Sequence, residues 1–146
     1  MFTIGVFTVI FDPQDRVLLC HRRDLDVWNL PGGGMEPGEL PTETAVRETR
    51  EETGLQVEIE QLVGVYGKPK KNDLVFVFTA QISAGMLTLN PEADQLQYFS
   101  LDALPANTIP KHVERIRDAA ANHLQPVFRQ QTSPPTREFL NQLKTS

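Results

Sequence analysis

An α/β fold with a mixed β-sheet between helices is predicted by the order strand, strand, helix, strands, helix along this 146-residue chain. Three observations carry that expectation. Runs rich in Val, Ile, Phe and Leu at 2–11 and 17–22 flank a polar turn; a helical stretch opens near Pro41 and stops before Gly54; alternating apolar runs follow at 55–66 and 74–82.

Taken in order, Asp12-Pro13-Gln14-Asp15 separates the first two runs as a turn would. Residues 23–39 are rich in Gly and Pro and read as a loop. Pro41 is tolerated in a first helical turn and Gly54 marks the end, so a helix is expected over 41–53, with Ala45, Val46 and Thr49 on its buried side. The strands at 55–66 and 74–82 are joined by a loop at 67–73, and residues 96–100 should form another short strand. Val113, Ile116, Ala120 and Leu124 stand near helical spacing and predict a last helix over 110–124. Residues 129–146 form a C-terminal tail or a short helix: Phe139, Leu140 and Leu143 make a short apolar pattern after Pro134-Pro135. That segment has three destinations, the body of the domain, a second subunit in a homodimer, or solvent.

The helix at 41–53 carries the chemistry. Glu48, Glu51 and Glu52 stand at i, i+3 and i+4 and project from one face. Like charges at those spacings cost each other about 0.2–0.5 kcal/mol per pair, and a helix C-terminus also disfavours anions. Local stability did not choose these residues. A hard divalent cation, which prefers oxygen ligands, turns such repulsion into coordination. Directly before the helix, Gly32, Gly33, Gly34 and Gly38 allow close approach of backbone.

Gly33, Glu39, Arg47, Glu48, Thr49, Glu51, Glu52, Gly54 and Leu55, at these spacings, resemble the signature of the Nudix hydrolase family, of the MutT-like and ADP-ribose pyrophosphatase-like kind. Only Thr49 departs from it, at a position where the family usually has an aliphatic residue. The resemblance extends to Trp28-Asn29-Leu30-Pro31-Gly32-Gly33 and to Glu92 followed by Tyr98-Phe99, over roughly residues 1 to 125. It implies an α/β/α sandwich in a Nudix hydrolase domain at 1–128. It also implies that Glu48, Glu51 and Glu52 hold Mg2+ or Mn2+, with a backbone carbonyl at Gly32 as a further ligand. Glu92 matches the place of an additional metal ligand or general base. Asp94 and the helix glutamates stay open as alternatives for the base, and Gln95 stands where many relatives have a second acid.

Glu39 and Arg47, eight residues apart across loop and helix, read as an ion pair that fixes one against the other. Arg22 and Arg23 are candidates to meet substrate phosphates; Trp28, with Phe11 or Tyr66, is a candidate to stack a nucleobase, although core packing is the commoner use of such rings. None of His21, His112 and His123 has a partner at metal-ligand spacing.

A net charge of −5 argues against broad nucleic-acid or anionic-membrane binding, an RNA 5′ end being the exception that a pyrophosphate chemistry leaves. The one basic cluster, Lys68-Pro69-Lys70-Lys71, reads as a solvated hairpin tip ahead of a phosphate contact. Cys20 is the only cysteine and lies in an apolar run, so it reads as a buried small hydrophobe in a reducing compartment. With no basic start to the N-terminal strand and no apolar stretch of membrane length, the expectation is a cytoplasmic protein. The expected activity is hydrolysis of the pyrophosphate bond in a nucleoside diphosphate linked to another group, giving a nucleoside monophosphate and a phosphorylated product. The alternative is a nucleotide-binding or regulatory module of the same fold without hydrolysis.

Overall fold

A computed structural model describes residues 1–145. Along the chain run β1 (Thr3–Val9), β2 (Val17–Arg22), β3 (Trp28–Asn29), β4 (Gly32–Gly34), α1 (Pro41–Thr53), β5 (Leu55–Gly67), β6 (Asp73–Gly85), β7 (Ala93–Phe99), a one-turn 3-10 helix (Leu101–Ala103), α2 (Pro110–Ala121), β8 (Val127–Gln130) and α3 (Thr136–Thr145). A five-stranded mixed sheet has the order β4-β1-β6-β5-β8, with β1 parallel to β6 and β5 parallel to β8.

Alternation along β1 explains why this sheet lies between helices. Val6 joins Ala45 of α1 and Phe78 in one apolar cluster, while Val9 joins Val77 and Ile116 of α2 in another. Thr8 faces α1, where its hydroxyl meets Thr49 at 3.1 Å with both side chains buried. The polar departure at Thr49 is therefore matched by a polar partner on the sheet.

A second sheet, β3-β2-β7, is antiparallel and was not foreseen. The turn behaves as expected, with Asp12 Oδ1 accepting from the Gln14 and Arg16 N–H groups. Beyond a single bridge between Phe11 and Val17 the two strands part, and β2 pairs with β7 instead of β1. The expected loop at 23–39 contains β3 and β4.

Helix α1 has the expected bounds. Gly54 ends it with φ of 80° and its N–H returns to the Arg50 carbonyl at 2.9 Å. Helix α2 is shorter than expected: Asn122 turns left-handed with φ of 51°, and Leu124, assigned to its apolar face, is exposed. Its buried face is His112, Arg115, Ile116, Asp118 and Ala119. β8 runs across residue 128, so Arg129 and Gln130, placed in the tail by the sequence, complete the sheet beside β5, and α3 forms within the remainder. No helix among the described residues is long and apolar enough to cross a membrane.

Candidate active site

Arg47 organises the approach to α1. Its Nε and Nη2 donate to the two carboxylate oxygens of Glu39 at 2.6 and 3.0 Å, and Nη2 also reaches the Gly34 carbonyl at 3.1 Å. This guanidinium, with help from the Glu36 N–H and the Thr44 hydroxyl, holds Glu39 down at about 2. The loop is thus tied to the helix by the pair the spacing suggested. Arg47 Nη1 extends to Glu48 and Glu51 at 3.0 and 3.2 Å.

The three helix glutamates differ in setting. Glu51 is exposed; the Glu48 carboxyl is largely buried and packs on the bare Cα of Gly33, where a Cβ would stand 2.6 Å from it. Burial raises Glu48 above the ordinary carboxylate range, against the pull of Arg47 and with a contribution from Glu51 and Glu92. Glu52 is pushed up to about 8 by burial, opposed by one N–H donor, Gly32 at 2.9 Å, and reinforced by Glu48, Glu92 and Glu51. A Cβ on Gly32 would overlap the Val6 carbonyl and the Phe7 ring, so only glycine lets this strand lie so close to β1.

A cleft of 490 Å³ opens on Glu52, lined also by Cys20, Arg22, Arg23, Asn90 and Glu92. The structure therefore brings Glu52, Glu92, Arg22 and Arg23 together, from α1, the loop before β7, the end of β2 and the residue after it. Arg22 is held by Asp24 through bonds of 2.8 and 2.6 Å, and Arg23 donates its backbone N–H to the Glu92 carbonyl at 3.0 Å.

Asn90 was overlooked in the sequence. Its Oδ1 accepts from the Glu92 and Ala93 N–H groups at 2.8 and 3.0 Å, while its Nδ2 donates to the Glu52 carbonyl, so one amide spans both acids' backbones. The Asn-Pro pair was the available signal. Asp94, a candidate base, is engaged elsewhere: His21 Nδ1 lies 2.6 Å from it and His21 Nε2 lies 2.8 Å from Asp26. Burial works against charge on that imidazole, but the two carboxylates outweigh it and raise His21.

Trp28 does not offer a stacking face. It is buried in the core, with its ring edge-on to His21 and Phe99. Tyr66 is likewise buried, its hydroxyl donating to Asp118 at 2.8 Å, and Phe11 lies on a different hollow, beside Leu101 and Ala119. Cys20 is buried and its thiol is raised, first by burial and then by Glu52, in keeping with an inert role.

Among the described residues no three acidic, imidazole or thiol groups converge into a ready-formed cation cage. Arg47 draws Glu48 and Glu51 toward itself. The donor chemistry nevertheless fits a hard divalent ion: the groups are carboxylate oxygens, and Glu52 is a buried acid facing like charges with no cationic side chain bonded to it.

Residues 1–121 match the NUDIX domain family model. A protein of Bacillus subtilis (strain 168), provisionally named an 8-oxo-dGTP diphosphatase, is 35% identical over 119 residues, spanning 81% of this chain and 80% of its own. An ADP-ribose pyrophosphatase of Methanocaldococcus jannaschii is 33% identical over 103 residues, 66% of this chain and 61% of that one. The crystal structure of an ADP-ribose pyrophosphatase from Streptococcus suis 89-1591 shares the fold, with a TM-score of 0.72 at 23% identity and coverage of 90% of this chain and 100% of the other. Nudix hydrolases generally use divalent metals. With its sheet between two helices and its acidic α1 on an open cleft, this chain belongs to the Nudix hydrolase family and is a pyrophosphohydrolase.

Proposed function

We propose that this protein hydrolyses the pyrophosphate bond of a nucleoside diphosphate linked to another group, in the presence of Mg2+ or Mn2+, releasing a nucleoside monophosphate and a phosphorylated remainder. The observation that carries this reading is the shared cleft of Glu52, Glu92, Arg22 and Arg23. Both substrates in the relatives' names fit that description: 8-oxo-dGTP joins the nucleoside diphosphate to phosphate, and ADP-ribose joins it to a sugar.

Glu48, Glu51 and Glu52, with the Gly32 carbonyl, would hold the metal. When bound, it neutralises phosphate oxygens and makes a coordinated water more acidic. Glu92, exposed on the cleft and held through its N–H by Asn90, accepts a proton from the attacking water as that oxygen bonds to one phosphorus. The bridging P–O bond breaks, and the leaving phosphate departs with its charge met by Arg22 or Arg23. Glu39 and Arg47 position α1 and take no part in the chemistry.

The test is incubation of the purified protein with Mg2+ or Mn2+ and a panel of 8-oxo-dGTP, ADP-ribose, dinucleoside polyphosphates and capped RNA, with products identified by mass. The expected product is a nucleoside monophosphate, and activity should vanish after chelation and dialysis. Full turnover without metal would overturn the metal assignment; release of orthophosphate alone would overturn the bond assignment.

A further inference from the structure

A second pocket, of 340 Å³, lies on the other side of Arg22 and Asn29, which line both it and the Glu52 cleft. Its walls carry an excess of positive charge unusual for an acidic protein. Lys111 and Arg115 stand at i and i+4 on α2, and Lys68 reaches them from the turn after β5. Of the basic run at that turn, Lys70 and Lys71 are exposed and Lys68 turns to the pocket. Lys68 and Lys111 line the same pocket, and their like charges repel each other. Burial first, then Lys68 and Arg115, depress Lys111 to about 8, and Asp73, the one carboxylate among the described residues lining this pocket, pulls the other way.

Arg115 is the floor of this arrangement. It is 3% exposed, with its guanidinium over the Phe7 and Tyr66 rings at 5.1 and 5.6 Å. Nε and Nη2 both donate to Gln131 Oε1, at 3.1 and 2.9 Å, which leaves Nη1 buried without a partner. His112, next to Lys111, receives the Leu30 N–H on Nδ1 and is pushed well below its ordinary value, chiefly by burial, so it stays neutral and adds no repulsion. Three clustered cations, one with an unfilled N–H group, in a concave site and with no ion-paired carboxylate among the described residues, are complementary to a multiply charged oxyanion.

We propose that the Lys68, Lys111 and Arg115 pocket binds a phosphate monoester group, carried by the substrate at a position apart from the pyrophosphate that is cleaved. In this form the inference rests on the pyrophosphohydrolase reading above. A substrate with its pyrophosphate at Glu52 and Glu92 extends past Arg22 and Asn29 to place that second phosphate on Lys111. The enzyme then discriminates among nucleotides by the presence of the additional phosphate, which the acidic cleft by itself does not read.

The test has two arms, using Lys111→Gln and Lys68→Gln, which lie at the pocket mouth and leave the buried Arg115 in place. In the first, binding of inorganic phosphate to wild type and variants is measured by calorimetry. Each variant is expected to weaken it about tenfold, the scale of one charge-assisted hydrogen bond. In the second, KM is compared for ADP-ribose and ADP-ribose 2′-phosphate. Wild type is expected to favour the phosphorylated nucleotide, and Lys111→Gln to raise its KM about tenfold while leaving ADP-ribose nearly unchanged. Weakened phosphate binding with an unaltered KM ratio supports the anion site but overturns the substrate as its source, leaving free phosphate as the ligand. No phosphate binding to wild type together with equal KM ratios in wild type and Lys111→Gln overturns the proposal. Failure to hydrolyse either nucleotide counts against the hydrolytic reading, and the calorimetric arm then decides the pocket independently.

Discussion

Glu39 and Glu52 belong to one loop-helix unit, yet they titrate at opposite ends of the carboxylate range. Glu39 receives a two-pronged bond from Arg47 and is held at about 2; Glu52 has a single Gly32 N–H, and burial pushes it to about 8. Among residues of the same type, the partner decides the duty. An acid whose charge is already met ties structure together, and one left short of positive charge is available to a cation and a substrate.

The largest effects should fall on the unmet acids. Glu92→Gln is expected to lower kcat by about 10²–10⁴-fold, with partial recovery at higher pH if Glu92 takes the proton from water. Asp94→Asn, by contrast, removes a carboxylate from His21 and not from the cleft. Wild-type turnover in Glu92→Gln would strip that residue of its role. Glu52→Gln is expected to cost at least about 10²-fold in turnover with the fold intact. Near-normal activity in that variant would erase the contrast with Glu39.

The same contrast predicts opposite pH dependences of stability in the absence of metal. Because the folded pKa of Glu52 lies above its ordinary value of 4.5, its favourable contribution is complete below about 4.5 and is lost as pH rises through about 8. Glu52→Gln should therefore gain stability over wild type above pH 8, on the order of a few kcal/mol, and little near pH 4. Glu39 is depressed, so its contribution is present above about 4.5 and disappears as pH falls through about 2. Glu39→Gln should melt below wild type at neutral pH and converge with it in acid. Thermal melts across pH check both, and parallel curves for the two variants would break the comparison.

The smallest expected effect concerns the polar contact behind α1. Thr49→Val leaves the Thr8 hydroxyl without its partner and should cost about 1 kcal/mol, much of it regained in the Thr8→Val, Thr49→Val double variant. A denaturant double-mutant cycle measures this; a fully additive cycle would show that the two hydroxyls do not interact.

Residues close in the chain spoke for themselves. Pro41 and Gly54 set the limits of α1 through backbone geometry, and the glutamate spacing determined which side chains share a face, since both depend on local dihedrals and a fixed helical repeat. The Glu39–Arg47 pair was also legible, because a short loop leaves little freedom in how its ends meet. Tertiary structure alone decided that β1 and β2 part into different sheets, that β8 closes the edge beside β5, and that Trp28 is core and not cleft wall. It alone also brought Lys68 to Lys111 and Arg115, and Asn90 to the carbonyl of Glu52. Such meetings depend on which apolar faces bury together across long stretches of chain, a global competition for burial that no local pattern records.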